Sequence, residues 1–546
     1  MPLLTIPKKL FEREIGKLNE AMQDRIAMFG TPVEAIDDEK VDIEIFPNRP
    51  DLLSYQNYKN AFQAFQGKNT GLKEIKTNKP EKNYSVTIDR SLDKVRPYTV
   101  CAIVKGLKFD DEKIKEIIDI QEKLHLSLGR KRKKAAIGIY PLEKIELPIK
   151  FEARRPEDIK FIPLESEREM NGRQILSHHP AGREYGFLLE GLDKYPVFVD
   201  ANNEILSMPP IINSHKTGKI DENTKEIFIE CSGFDLNTLN KILNIIVVSL
   251  YSMGGKIYQM NLKYSDKTLI TPNLEPEKMK FDLEKCNKLL GLTLNEKQAE
   301  ELLKKMGLNY KSKTAYAPAW RTDILHEVDL YEEIAIAYGY DKLIPEIPQI
   351  ATIGEIDHKE TLKKKIAEIL SGLGLLETLS YHLTTKQDQI KNTGLNISEI
   401  TEIKNSKTEY TILRQDLSHY MLKIFSENVD VEYPQEIFQI GKVFHKLEEK
   451  ENLSIALAPG NFTKVKQILD YLSKMIDIQL EFKNPKDNSI YYIEGRSADI
   501  FYKSKIVGNI GEIHPRLLKN FKIKMPVALL EINLDDILKD LEGKKN

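Results

Sequence analysis

The chain has 546 residues, with Lys+Arg 81 set against Asp+Glu 83 and a hydrophobic fraction of 41%. That length predicts several domains, and the near-zero net charge excludes a protein that grips nucleic acid by bulk positive charge, so any such contact must use local patches. Cys101, Cys231 and Cys286 have no paired spacing, and the longest apolar run, Ile242 to Met253, is broken by Asn244 and Ser249; a disulfide framework, a zinc ribbon and a membrane span are therefore not expected, and a reducing cytoplasm is.

Composition divides the chain into four blocks. The first, 1–78, contains Phe46-Pro47-Asn48-Arg49-Pro50-Asp51-Leu52-Leu53-Ser54. Two prolines around Asn-Arg predict an extended turn there, which Arg49 would brace. A Lys-rich polar stretch, 73–84, reads as a linker. The second block, 79–264, has strand-like runs at Tyr98 to Val104 and Glu226 to Cys231 and a helical run from Leu236 to Tyr251. His178-His179 is a poor metal pair, because neighbouring side chains on a strand diverge, and is expected on a loop or the surface. The basic run Gly129 to Lys134 would grip phosphates or form a solvated loop.

The third block, 269–348, carries a stripe of Leu283, Cys286, Leu289 and Leu290 that ends at Gly291. A second stripe (Ala299, Leu302, Leu303, Met306) starts with capping-box spacing at Asn295 and Gln298 and ends at Gly307. Then comes PAWRTDILHEVDLYEEIAIAYGYD, Pro318 to Asp341. Thr322 or Asp323 is the expected N-cap of a helix that stops at Gly339, with Ile324, Val328, Tyr331, Ala335 and Tyr338 facing the core. Asp329, Glu332 and Glu333 fall at i, i+3 and i+4 and share one flank. With Asp323 they repel one another unless something positive sits among them, and a hard cation such as Mg²⁺ would serve. A plain solvated helix face is the alternative. The fourth block, 351–546, opens with a helical stripe (Leu362, Ile366, Ile369, Leu370, Leu373) that Gly372 and Gly374 break. Strand-like segments follow at Glu436 to Ile440 and Val527 to Ile532.

The Pro318 to Asp341 string resembles the signature of one domain in the beta subunit of phenylalanyl-tRNA synthetase, and the Phe46 to Ser54 element resembles another part of the same subunits. The runs Leu206 to Ser214 and Ile229-Glu230-Cys231-Ser232-Gly233 resemble the editing domain of the archaeal and eukaryotic type. Leu413-Arg414, Pro434 to Val443 and Gly511 to Pro515 resemble its synthetase-like domain. The resemblance implies an α+β multidomain chain: an editing domain, a winged-helix-like module and a catalytically silent class II synthetase-like antiparallel sheet domain. It implies Mg²⁺ ligation by Asp323, Asp329, Glu332 and Glu333. It further implies an editing pocket lined by Leu206, Asn213, Ser214, Glu230 and Ser232, the last standing where Thr is usual.

The implied partners are an alpha subunit, in an α2β2 heterotetramer, and tRNA(Phe), with the ATP site on the alpha chain. The implied activity is hydrolysis of mischarged Tyr-tRNA. An apolar pocket rejects an isostere with an added hydroxyl only about 10²-fold, so a second site that demands the hydroxyl is needed. Without the resemblance, Glu230 and Ser232 are the outer face of a strand and Cys231 is core. Arg414-Gln415-Asp416 and the stretch ending at Arg516 are faint echoes of an ATP site. A non-catalytic scaffold that binds tRNA or the alpha chain, and a free-standing deacylase, are the competing readings.

Overall fold

The computed structural model describes residues 2–395, 400–485 and 490–543. They form two compact units, 1–347 and 348–546. Among the described residues no helix is long and apolar enough to cross a membrane.

The first unit is built on an eleven-stranded sheet. Its path runs Ile212–Asn213, Ile205–Met208, Tyr195–Val199, Ile149–Arg154, Ser85–Ile88, Lys256–Lys263, Tyr98–Lys105, Ile227–Gly233 and Ala135–Pro141. Thr77–Asn78, inside the expected linker, pairs in parallel with Lys256–Lys263. Val, Ile and aromatic residues fill the central strands, as suits a surface covered on both faces. Ile227–Gly233 is buried at all seven positions, which removes the outer-face alternative for Glu230 and Ser232. The helix Leu236–Ser252 packs on the sheet; its N-cap Asp235 accepts from Thr238 N. Sheets this wide curl rather than stay flat. Here the curl brings Asn213, at one end of the path, to within hydrogen-bonding distance of Tyr140, at the other.

Residues 277–342 form a smaller element group: helices Leu283–Leu290, Glu296–Lys305 and Glu327–Tyr338 around the three-stranded sheet Glu277–Lys280, Thr314–Ala317, Asn309–Lys311. The Asn295–Gln298 capping box is present in full. Gly291 takes the left-handed conformation, φ +67°, that closes the first helix. Leu289, expected in the core stripe, is exposed.

The second unit is a seven-stranded sheet with the helices His358–Gly372, Phe462–Met475 and Asp535–Gly543 on one core. Its sheet pairs antiparallel except where the two-residue edge strand Leu376–Glu377 runs parallel to Gln435–His445.

Candidate functional site

Glu230 sits in the middle of Ile227–Gly233, opposite Gly138 on the neighbouring strand. Glycine is required there: a Cβ at 138 would collide with the Tyr140 hydroxyl and lie 2.6 Å from Glu230 Oε1. The Tyr140 hydroxyl is 3.3 Å from Glu230 Oε1 and 3.3 Å from Asn213 Oδ1. Burial pushes the Glu230 pKa up to about 8, against the opposing pull of Arg96 and of the Tyr140 and Ser232 hydroxyls. The Tyr140 hydroxyl has one proton and donates it to Glu230 Oε1 or to Asn213 Oδ1. Among the described residues, Glu230 Oε2 is buried with no hydrogen-bond partner.

Glu230 and Asn213 line a small pocket of about 120 Å³ together with Gln121, Ile137 and Pro210. A wider cleft of about 690 Å³ shares Asn213, Ile212, Leu164, Gln121, Glu122 and Arg132 with it. The small pocket and the wider cleft therefore adjoin each other. Leu206, Ser214 and Ser232 line neither space. Leu206 is buried, and its carbonyl accepts from Ser214 N at 2.7 Å, which fixes the loop that presents Asn213. Ser232 is held by buried Arg96, whose Nε donates to Ser232 Oγ at 3.1 Å and whose Nη2 donates to the Ser232 carbonyl at 2.5 Å. Cys231 lies in the core, and all three cysteines are buried and free.

Sequence reasoning missed Tyr140 and His125, and placed Arg132 in a basic run and His179 on a loop or the surface. The usable signal for Tyr140 was a glycine inside a strand two residues before it, on the same face. Arg132 leaves the basic run and turns inward. Its Nη1 donates to Ile211 O at 2.9 Å, its Nη2 donates to Glu122 Oε1 at 3.1 Å, and its guanidinium stacks 4.3 Å over Tyr185. Arg130, Lys131, Lys133 and Lys134 remain exposed. His125 Nε2 accepts from Ile137 N at 2.8 Å, so its proton is on Nδ1, facing Glu122 Oε1 at 3.2 Å. Burial lowers its pKa and keeps it neutral. His179, expected on the surface, is buried and lines the wider cleft; Nδ1 accepts from Ala181 N, which leaves Nε2 to donate to Leu164 O at 3.0 Å.

The acidic cluster has a different arrangement from the expected one. The helix starts at Glu327 with His326 as N-cap, not at Thr322 or Asp323. Asp329 Oδ2 accepts from Leu325 N and His326 N, both at 2.7 Å. Asp323 and Glu333 converge on buried Arg321. Its Nε and Nη2 donate to the two oxygens of Asp323 at 2.8 and 2.7 Å, and its Nη1 donates to Glu333 Oε2 at 3.1 Å. Glu332 points to solvent, as does Val328, 44% exposed where a core position was expected. Burial pushes the Asp323 carboxyl up, but Arg321 and then Arg49 outweigh it and hold the pKa at about 2. Among the described residues no group of three or more His, Cys, Asp and Glu side chains is placed to hold a metal ion. The positive charge between Asp323 and Glu333 is the Arg321 guanidinium.

Arg49 repeats the pattern. Its Nε and Nη2 donate to Asp51 at 3.0 and 2.9 Å, and its Nε is 3.9 Å from Asp323 Oδ2. Thr322 Oγ1 donates to Asn48 O at 3.1 Å. The two Arg-x-Asp motifs, 272 residues apart in sequence, are one buried charge network.

In the second unit Arg414 is buried and donates to the carbonyls of Lys442 and Ser380 and to Ser380 Oγ. Asp416 Oδ1 is 2.9 Å from His419 Nδ1, and His419 Nε2 is 3.0 Å from Thr384 Oγ1. Both Thr384 and His419 are fully buried. Arg414 and Asp416, part of the faint echo of an ATP clamp, are occupied with holding the fold.

Three family models match: B3/4 domain over 100–245, tRNA synthetase B5 domain over 279–340, and phenylalanyl tRNA synthetase beta chain CLM domain over 344–534. The chain is 35% identical over 544 residues to the phenylalanine–tRNA ligase beta subunit of Archaeoglobus fulgidus, covering 98% of each chain. It is 38% identical over 502 residues to that of Thermococcus sibiricus, covering 89% of each. The solved N-terminal fragment of the phenylalanyl-tRNA synthetase beta subunit from Pyrococcus horikoshii superposes with a TM-score of 0.58 at 35% identity, over 62% of this chain and 99% of the fragment. The chain belongs to the phenylalanine–tRNA ligase beta-subunit family.

Proposed function

We propose that this chain joins an alpha subunit in an α2β2 enzyme that attaches phenylalanine to tRNA(Phe) with ATP bound by the alpha chain, and that its own activity is hydrolysis of mischarged Tyr-tRNA(Phe). The observation that carries the editing reading is the buried Glu230, its pKa raised by burial, with Oε2 unpartnered among the described residues and its side chain lining a small pocket. A tyrosine phenol entering that pocket donates to Oε2. A phenylalanine ring leaves it unpaired, at a cost of about 1–3 kcal/mol. The wider cleft then takes the ester and the terminal nucleoside. Water adds to the ester carbonyl, the acyl–oxygen bond breaks, and the products are free tyrosine, uncharged tRNA and a proton. His125 Nε2 and His179 Nδ1 each accept a backbone hydrogen bond, and in this reading the reaction relies on positioned water.

In this reading Asn213 orients the substrate through Tyr140, and Leu206, Ser214 and Ser232 shape the walls from behind. The four blocks at 1–78, 79–264, 269–348 and 351–546 act as the N-terminal, editing, winged-helix-type and silent class II-like domains. Arg321 balances Asp323 and Glu333.

The test is single-turnover deacylation of Tyr-tRNA(Phe) by the complex carrying Glu230→Ala. Clearance should fall by roughly 10- to 100-fold with Phe charging intact. Clearance equal to wild type would remove Glu230 from the site and leave an assembly scaffold.

A further inference from the structure

Residues 343–357 read LIPEIPQIATIGEID, with isoleucine at 344, 347, 350, 353 and 356, every third position without a break. No helix or strand forms between Lys342 and His358. The five isoleucines are 71–94% exposed. None of them joins a hydrophobic core of either unit. Scattered exposed apolar side chains are ordinary, but an uninterrupted row is not.

The spacing identifies the conformation that would use it. A period of three matches neither the α-helix nor the strand. It is the repeat of polyproline II, which has three residues per turn and no internal hydrogen bonds. Pro345 and Pro348 are themselves three apart; each fixes its own φ and biases the isoleucine before it toward extended backbone. In that conformation the five side chains stand in one line, roughly 37 Å from first to last.

Charge selects the partner. The segment holds Glu346, Glu355 and Asp357 and no Lys or Arg. An acidic ribbon repels phosphates, so of the two macromolecules that the proposed function supplies, tRNA is excluded and the protein chain remains. We infer that residues 343–357 are an apolar strap that docks, extended, into a hydrophobic groove of the alpha subunit. This rests on the proposed alpha–beta assembly. A chain already biased to polyproline II loses little entropy on docking, and its isoleucines supply the buried area.

The full-length chain is titrated with the alpha subunit, as wild type, as Ile350→Asp/Ile353→Asp and as Ile350→Leu/Ile353→Leu. Hydrogen exchange of 343–357 is followed in the wild type alone, with alpha and with tRNA. The aspartate variant should bind alpha on the order of a hundredfold more weakly, the leucine variant like wild type, and exchange and side-chain labelling of the strap should slow only with alpha. Both sites are exposed, so the aspartate variant should melt as wild type does. Equal alpha binding by the aspartate variant, together with wild-type binding, overturns the strap alone. A wild-type chain that does not bind alpha overturns the strap and the assembly together. Protection by tRNA, or by rising concentration of the chain alone, also overturns it and points to RNA or to a second copy.

Discussion

At the scale of single residues, the proposed editing chemistry turns on a carboxyl whose pKa burial raises. Glu230 has a folded pKa raised above its unfolded value, to about 8. The folded state therefore binds the extra proton between about pH 4.5 and 8, and stability falls with rising pH across that window. Glutamine keeps the shape without the titration. Glu230→Gln should gain stability over wild type progressively from pH 5 to pH 8, by up to a few kcal/mol, measured by urea unfolding at each pH. A constant difference would show that Glu230 is ionised throughout. Gly138 gives a second check. Gly138→Ala places a methyl where the Tyr140 hydroxyl and Glu230 Oε1 lie. It should cost about 1–3 kcal/mol and abolish Tyr-tRNA clearance. Wild-type clearance in this variant would mean that the Tyr140–Glu230 contact is dispensable.

At the scale of elements, the sequence announced most helices and the central strands, because caps, glycine stops and periodicity are local. The Asn295–Gln298 box and the stop at Gly339 are found as read. The helix from Glu327 was misjudged at its start because Asp323 has cap chemistry, yet its carboxylate is taken by Arg321, two residues back. Tyr140 and Asn213 were illegible as a pair because their meeting depends on the curl of an eleven-stranded sheet. The union of Arg49-Pro50-Asp51 with Arg321-Thr322-Asp323 was equally hidden, since nothing local links positions so far apart. That network predicts the behaviour of the acidic helix. Arg321→Met strands Glu333 as a buried charge and leaves Asp323 with Arg49 alone, and should destabilise the chain by about 3–5 kcal/mol. Dialysis against EDTA should leave the wild-type melting curve unchanged. A melting temperature that drops with EDTA and returns with Mg²⁺ would restore the metal reading of Asp323, Asp329, Glu332 and Glu333.

At the scale of the whole molecule, division of labour follows from where polar groups are spent. In the second unit Arg414 is satisfied by carbonyls, and Thr384, His419 and Asp416 form a relay whose hydroxyl and imidazole are sealed from solvent. These groups are paired with one another inside the fold. In the first unit Glu230 keeps an unspent oxygen beside a cleft. Each unit owns separate hydrophobic cores: the clusters around the eleven-stranded sheet contain only residues before 348, and those around the seven-stranded sheet only residues after it. The Pyrococcus horikoshii fragment, matched over 99% of its length, spans a comparable portion and was solved by itself. Residues 1–347 expressed alone should therefore fold with one cooperative melting transition and clear Tyr-tRNA, while losing Phe charging in the presence of the alpha chain. Calorimetry and single-turnover deacylation on the same sample check both parts. A fragment that melts cooperatively but does not deacylate would place an essential part of the editing site in the second unit, and the pocket at Glu230 would then be only its recognition half.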